Sequence, residues 1–214
     1  MKMFREGIWL FLGAVVALGL SVAPSYAAVI FSDNFDAQNG GVANVGTLNY
    51  TGFTNWTVSD GTVDLIGNGF YDFYPGNNLY VDLDGSSDDA GKMTSIDILL
   101  APGDYELSFF LGGSTLPDGN NTLNVEVALG LVLNQTYTLG SSVPLTQFTL
   151  PFTVISEQNA NIVFDHQGGD NMGLILDWVS LNSVSAVSEP GTMLLLGSGL
   201  VGLVGYGRRR MKKQ

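Results

Sequence analysis

Acidic and aromatic side chains are the residues of this sequence that could do chemistry. Cysteine is absent, and His166 is the only histidine. A nucleophilic triad with a histidine base would depend on that one residue, and no Gly-x-Ser-x-Gly motif is present. Zinc sites with two or more histidine ligands are excluded. We predict that His166 lies in a surface loop and that the chain is not an enzyme, although a carboxylate pair for glycoside hydrolysis stays open.

Asp177 lies in a predicted strand among aliphatic residues. A period of two places it on one face with Ile175, Val179 and Leu181. A carboxylate buried beside aliphatic side chains is costly unless it is paired or coordinates a metal ion. Lys92 is the only basic residue between positions 28 and 183, so a cation is the available partner. The alternative is that Asp177 caps neighbouring backbone groups.

A second acidic cluster runs from Asp82 to Asp89, with the sequence Asp-Leu-Asp-Gly-Ser-Ser-Asp-Asp. It has some likeness to a calcium loop, but the EF-hand spacing with its late glutamate is absent. We therefore predict a solvated, charged loop at these positions.

Aromatic residues crowd the segment from position 69 to position 80. Sugars stack their apolar faces on flat aromatic rings, and aspartate or asparagine side chains bind their hydroxyl groups. The predicted sugar-binding residues are Trp56, Tyr71, Asp72, Phe73, Tyr74 and Asn77. The alternative is that this segment folds back and packs its own aromatic rings over one end of the domain.

The chain is strongly acidic, with a net charge of −12. Residues 28–183 hold 18 of the 20 acidic residues and one basic residue, so their formal charge is −17. A domain of this charge repels phosphate groups, which argues against a nucleic acid partner. Solubility in an extracellular medium is the simplest reason for the charge, and the same charge attracts divalent cations.

Strands are the elements that must position these side chains. Between positions 28 and 183 apolar and polar residues alternate, turn pairs such as Asp60-Gly61 and Asp84-Gly85 recur, and no stretch has a 3.6-residue period. Predicted strands include Met93–Leu99, Gly103–Leu111, Leu123–Leu133 and Gly173–Ser183. In the second of these, one face carries Tyr105, Leu107, Phe109 and Leu111. The pattern predicts an all-β sandwich or barrel.

Both ends of the chain have the patterns of targeting segments. Residues 1–27 predict a signal peptide, with Lys2 and Arg5 before an apolar run and small residues before the cut. At the other end we predict a polar linker with a sorting motif at 184–191, a transmembrane helix at 192–206 and a basic cytoplasmic tail at 207–214. A helix of that length measures about 22 Å, short of a hydrocarbon core of about 30 Å, which suits a transient anchor.

The exported segment resembles a galactose-binding-like jelly roll, the fold of many carbohydrate-binding modules. The resemblance lies in Ser32-Asp33-Asn34-Phe35-Asp36, in Gly103–Phe109 and in Gly173–Leu181, with Trp178 where the family usually has asparagine. It implies an all-β jelly-roll sandwich over residues 28–183. It also implies a structural Ca²⁺ that ties the first strand to the last, with Asp33, Asp36 and Asp177 as its ligands.

The C-terminal segment resembles the PEP-CTERM sorting signal, a short Glu-Pro motif followed by an apolar helix and an arginine-rich end. The residues that carry the resemblance are Ser188, Glu189, Pro190, Arg208, Arg209 and Arg210. The resemblance implies a Gram-negative bacterium, an exosortase-type membrane protease as partner, cleavage near Glu189-Pro190, and release to the cell surface or an exopolysaccharide matrix.

Three functions are consistent with these patterns. The first is a surface or matrix protein that binds carbohydrate without catalysis. The second is a structural or adhesive matrix protein without a sugar ligand, and the third is a hydrolase of matrix glycans. Binding to glycans separates the first from the second, and turnover of a polysaccharide separates the third from both.

Overall fold

The computed structural model of the chain describes residues 27–41, 46–87, 89–117, 122–128 and 130–184. Almost all of the predicted signal peptide and everything after residue 184 lie outside these ranges. The predicted transmembrane helix at 192–206 and the basic tail at 207–214 are among the segments that are not described.

Strands dominate the part of the chain that the structure describes. They are β1 (Ala28–Asp33), β2 (Trp56–Ser59), β3 (Asp64–Gly67), β4 (Leu79–Asp82), β5 (Lys92–Ser95), β6 (Ile98–Leu100), β7 (Gly103–Gly113), β8 (Thr122–Val127), β9 (Leu133–Thr138), β10 (Thr146–Val154), β11 (Gln158–Ala160), β12 (Ile162–Gln167) and β13 (Leu174–Val184). A short 3-10 segment spans Gln38–Gly41.

Two antiparallel sheets form the layers of a sandwich. The six-stranded sheet has the order β10-β7-β13-β4-β3, and β1 also pairs with β13. The five-stranded sheet has the order β2-β5-β12-β8-β9, and β6 pairs with β11 as a separate ribbon. The chain passes back and forth between the sheets, as in a jelly roll. The predicted all-β sandwich is confirmed.

The hydrophobic core lies between the sheets, and the centre of β7 forms much of it. The four residues predicted to share one face of this strand, Tyr105, Leu107, Phe109 and Leu111, are all buried in it. The Phe109 ring meets Phe164 at 5.3 Å and Tyr137 at 5.9 Å in edge contacts, and it stacks on Phe148 at 6.0 Å. The alternation in the sequence therefore identified the core face of this strand.

β13 is the central strand of the six-stranded sheet. One edge pairs with β7 along nearly the whole strand, from Leu174↔Gly113 to Val184↔Asp104. The other edge is shared by two strands, because β4 pairs with the beginning of β13 and β1 pairs with its second half. The end of β1 and the strand β4 thus meet beside the middle of β13.

The structure corrects two predicted strands. The segment Leu123–Leu133 is not one strand, because the chain reverses after β8 and returns as β9. Ala128 and Gly130 have positive φ angles of 54° and 77°, and the Leu131 N–H donates to the Ala128 carbonyl at 3.0 Å. The segment Met93–Leu99 likewise divides into β5 and β6, which belong to different sheets. Apolar residues on both sides of each turn concealed the break.

Replacing Phe109 by alanine should lower the free energy of unfolding by about 3–5 kcal/mol, because a fully buried ring leaves a cavity among packed aromatic side chains. Urea unfolding followed by tryptophan fluorescence measures the change. The matched control is Leu131→Ala, since that side chain is 81% exposed and its loss should change stability by less than about 0.5 kcal/mol. Equal effects of the two substitutions would contradict this account of the core.

Candidate functional site

A β-bulge in the middle of β13 shapes the candidate site. The pairing with β7 shifts register between Asp177 and Val179, and Trp178 has a φ angle of 37°. A positive φ is uncommon for a bulky residue. Bulges bend a strand and turn side chains toward a new direction, often beside functional sites.

The bulge overturns the predicted face of Asp177. Leu176, Val179 and Leu181 lie in the core between the sheets, whereas Ile175 packs in a separate cluster on the outer face. Asp177 is half-buried and pairs with Phe110 of β7. The extra residue reverses the alternation after Asp177, so this carboxylate does not share a face with Val179 and Leu181.

A cavity of about 250 Å³ opens beside the bulge. Its lining residues are Asn77, Phe110, Leu145, Asp177 and Trp178. The rings of Phe110 and Trp178 meet in an edge contact with centroids 5.8 Å apart. Both rings are half-buried, and Asn77 is exposed at the rim. We call this feature the bulge cleft. It combines two aromatic surfaces with one amide and one carboxylate.

Asp177 has an unusual electrostatic environment. Burial raises its pKa to about 6, the charge of Asp36 adds to the rise, and a hydrogen bond from the Trp178 N–H opposes it. That bond joins the Trp178 nitrogen to Asp177 Oδ1 at 2.7 Å. The charge of Asp36 acts on Asp177 because Asp36 binds the start of β4, the strand that pairs with β13 just before the bulge.

Asp36 fastens the segment after β1 to the beginning of β4. Its Oδ1 atom accepts the Leu79 N–H at 3.2 Å, and Oδ2 accepts the side-chain amides of Asn34 at 2.8 Å and Asn78 at 3.3 Å. The prediction that Asp36 and Asp177 bind one calcium ion stays a prediction. Both carboxylates lie where β1, β4 and the bulge meet.

Asp33 and Trp56 have a structural role instead. Asp33 is buried and accepts hydrogen bonds from the Phe35 N–H at 2.9 Å, the Asn55 amide at 3.1 Å and the Trp56 indole N–H at 3.0 Å. Trp56 is only 4% exposed and packs between Phe31 and Phe164. Its ring is therefore not available to a sugar, contrary to the prediction.

The three predicted calcium ligands do not form one group. Asp33 is engaged in the core, while the charge of Asp36 acts on Asp177. Within the described ranges, no three histidine, cysteine, aspartate or glutamate side chains are arranged to hold a metal ion. Any cation at the bulge would therefore have at most two of the predicted carboxylates as ligands.

The aromatic segment folds back over the outer face of the six-stranded sheet, which is the alternative that the sequence left open. Phe70, Phe73 and Tyr74 pack against a small buried cluster formed by Ile66, Tyr80 and Ile175. This packing uses most of the aromatic surface that was predicted to bind sugar. Asn77 is the one predicted sugar-binding residue that lines the cleft.

Hydrogen bonds fix the polar atoms of the same segment. The Tyr74 hydroxyl donates to the carbonyls of Gly113 and Val143, and the Tyr80 hydroxyl donates to Asp72 Oδ1 at 3.0 Å. Tyr71 is 61% exposed and remains accessible outside the cleft. The segment thus forms a rigid wall beside the cleft.

Sequence reasoning missed Phe110, Leu145 and Trp178 as site residues. The signal for Phe110 was present, because the period of two that buries Phe109 places Phe110 on the opposite face with Glu106 and Ser108. The position of Trp178 in the cleft depends on the bulge, and no local sequence pattern predicts that bulge. Leu145 reaches the cleft only through the tertiary fold.

The first half of the second acidic cluster, from Asp82 to Gly85, and His166 are buried and not solvated as predicted, whereas Ser86, Ser87 and Asp89 are exposed. Asp82 is 5% exposed, Asp84 is fully buried and His166 is 3% exposed. Burial raises the pKa of Asp82 to about 8, with the charges of Asp64 and Asp84 adding to the rise and main-chain hydrogen bonds opposing it. Burial lowers the pKa of His166, against the opposite effect of nearby carboxylates. Strand pairing and the connection before β13 enclose these groups.

The segment at residues 186–210 matches the PEP-CTERM protein-sorting motif. The match includes all the predicted sorting residues, Ser188, Glu189, Pro190 and Arg208 to Arg210, which lie outside the described residues. It indicates an exported protein that is sorted to the cell surface. No curated protein matches the chain in sequence.

Several solved carbohydrate-binding modules are similar to the chain in structure. A CBM6 from a marine laminarinase of Zobellia galactanivorans is 12% identical, with a TM-score of 0.42 over 65% of this chain and 98% of the module. A CBM61 in complex with β-1,4-galactotriose is 16% identical, with a TM-score of 0.44 over 62% and 90%. A CBM35 from Paenibacillus barcinonensis is 16% identical, with a TM-score of 0.41 over 66% and 100%.

Within the described ranges, no helix is long and apolar enough to cross a membrane. The predicted signal peptide and the helix at 192–206 lie almost wholly beyond those ranges and stay predictions.

Replacing Asp177 by asparagine should reduce the pH dependence of stability in mild acid. Its pKa rises from 3.8 to about 6 on folding, so the protonated form favours the folded state. The wild-type protein should therefore lose stability as the pH rises from 3.8 to about 6, and the variant should lose less. Thermal melts across this range measure the difference. The exposed Glu157→Gln variant is the control, and an unchanged pH profile in Asp177→Asn would refute the assignment.

Proposed function

We propose that this protein is a non-catalytic carbohydrate-binding protein of the cell surface or exopolysaccharide matrix, and that the bulge cleft is its sugar site. The observation that carries the proposal is the pair of half-buried rings, Phe110 and Trp178, placed beside Asn77 and Asp177 on one cavity. Small-molecule sites are concave and mostly apolar, with a few polar groups that orient the ligand.

The chemistry of the cleft suits a sugar. A pyranose ring has an apolar face that stacks on an aromatic surface, and its hydroxyl groups both donate and accept hydrogen bonds. An ionised Asp177 accepts from hydroxyl groups, and the Asn77 amide both donates and accepts.

The arrangement of acids in the cleft supports binding without hydrolysis. Glycoside hydrolysis in most families uses two carboxyl groups placed on either side of the scissile bond. Asp177 is the one carboxylate that lines the cavity. Asp36 already accepts three hydrogen bonds, two of which connect the segment after β1 to the start of β4. A glycan hydrolase and a structural protein without a sugar ligand remain the alternatives that the experiment below separates.

The C-terminal segment provides the route to the surface in this proposal. An exosortase-type membrane protease would recognise Glu189-Pro190 and cleave near it, after residues 192–206 have held the chain in the membrane for a time. The exported domain would then be released to the surface or the exopolysaccharide matrix. The sorting-motif match at 186–210 supports this order of events.

Trp178→Ala should weaken binding to the recognised glycan about 30-fold, since a buried aromatic anchor contributes about 2 kcal/mol. A glycan array with the wild-type protein identifies the ligand, and calorimetry with that ligand measures the loss. Tyr71→Ala is the matched control, because its exposed ring lies outside the cleft and should change the affinity less than about twofold. Loss of binding in Tyr71→Ala alone would move the site to the aromatic segment, and turnover of a polysaccharide would favour the hydrolase.

A structural calcium ion at Asp36 and Asp177 is a separate proposal. Its support is that Asp36 binds the start of β4, which pairs with the strand that carries Asp177, in a domain whose only basic residue between positions 28 and 183 is Lys92. Calcium prefers oxygen ligands and would relieve the repulsion between these carboxylates. A chelator should then lower the thermal midpoint of the wild-type protein, and Asp36→Asn should reduce that shift. An identical shift in wild type and Asp36→Asn would exclude this pair as the ligands.

A further inference from the structure

A cluster of polar side chains lies where the turn after β4 meets the connection between β12 and β13. It is formed by Asp84, His166, Gly168 and Asp170, and we call it the Asp84 pocket. Asp84 Oδ2 accepts the N–H groups of Gly169 at 2.8 Å and Asp170 at 3.2 Å, so the carboxylate holds the connection in place. The bulge cleft and its residues do not take part in this pocket.

Three polar atoms of the Asp84 pocket are buried without a hydrogen-bond partner among the described residues. They are Asp84 Oδ1, His166 Nδ1 and Asp170 Oδ1. Asp84 is fully buried and His166 is 3% exposed. An unsatisfied buried polar group costs about 1–3 kcal/mol, and more when it is charged. Three such atoms on neighbouring residues make this a place where a bound ion or water molecule would stabilise the fold.

Two glycine residues pack closely against the polar groups of this cluster. A methyl group on Gly168 would collide with the Asp84 carboxylate and with the His166 ring. A methyl group on Gly173 would collide with the Asp84 backbone nitrogen and with Asp82 Oδ1. This close packing excludes an organic ligand, so a single ion or water molecule is the largest species that could lie among these polar atoms.

The hydrogen bonding of His166 decides which kind of ion fits. Its Nε2 atom accepts the Leu174 N–H at 3.2 Å, so the neutral ring carries its proton on Nδ1. Nδ1 is then a donor and not a metal ligand. The pocket thus offers two carboxylate oxygens and one N–H group, a set that suits an oxygen-loving cation with bound water better than zinc.

Charge favours a cation over a lone water molecule. Asp64 and Asp82 pair across β3 and β4 close to Asp84, and burial together with the charges of Asp64 and Asp84 raises the pKa of Asp82, so further negative charge is unfavourable at this place. Lys92, the only basic residue between positions 28 and 183, forms ion pairs with Asp60 at 3.8 Å and Asp165 at 3.7 Å. A buried carboxylate without a counter-charge costs several kcal/mol. A bridging water would satisfy the hydrogen bonds and leave this charge uncompensated.

We propose that the Asp84 pocket binds one calcium ion through Asp84 Oδ1 and Asp170 Oδ1. Main-chain carbonyls and water complete the ligand set, as is common for calcium. The His166 Nδ1–H group donates a hydrogen bond to a water ligand and does not touch the ion. The ion would bind the turn after β4 to the connection that leads into β13.

Calcium titration of the purified, chelator-treated full-length protein tests this site. The Asp177→Asn background removes the pair at the bulge, so that only the Asp84 pocket is measured by calorimetry. We expect one bound Ca²⁺ and a higher thermal midpoint with the ion. Adding Asp84→Asn should lower the affinity about tenfold or more. Asp170→Asn should do the same and keeps the backbone bond to Asp84, so it serves if the first variant does not fold.

Asp89→Asn is the matched control, because this exposed acid belongs to the same acidic segment and should leave the affinity unchanged. No calcium binding by the folded Asp177→Asn protein would overturn the proposal and leave a bridging water in the pocket. Binding that survives both Asp84→Asn and Asp170→Asn would also overturn it. Tighter binding of Zn²⁺ than of Ca²⁺, abolished by His166→Gln, would show that the imidazole is a ligand and contradict the proposed set.

Discussion

The pairing of β13 with three other strands is the constraint on which the rest of the structure depends. β7 occupies one edge, and β4 and β1 divide the other. The bulge at Asp177 and Trp178 lies beside the place where β4 and β1 meet, and it turns both side chains to the outer face. The cleft is therefore a product of sheet topology, and loops only complete it.

The shortage of basic residues determines which groups the acidic side chains bind. Acidic side chains cannot find ion-pair partners when Lys92 is the only basic residue available. Main-chain N–H groups take that role at Asp33, Asp36 and Asp84, and each of these carboxylates fixes a turn or a connection. Such bonds are less sensitive to salt than surface ion pairs. Some of the acidic side chains of the domain therefore stabilise its turns and connections, in addition to making it soluble.

Local patterns in the sequence were enough to predict the class of fold and the core face of β7. The alternation from Tyr105 to Leu111 and the turn pairs between strands determine these features directly. The prediction for Asp177 was wrong because one inserted residue reverses a period of two, and nothing near Trp178 signals it. The burial of Asp84 and His166 was missed because strand pairing between distant segments encloses them. The aromatic composition of residues 69–80 is evident in the sequence, but the inward packing of these rings depends on the tertiary structure.

The pairing of β1 with β13 also constrains how the domain is made. Ala28 lies opposite Ser183, so the first and last strands of the sandwich join across 155 positions of sequence. Contacts of such long range are slow to form, because the loop they close is costly in entropy. Until β13 has been synthesised, β7 lacks the neighbour on one of its edges, and β1 and β4 lack the strand they share. The six-stranded sheet consequently cannot be completed until β13 has been synthesised, and the strand edges that β13 pairs with stay open until then.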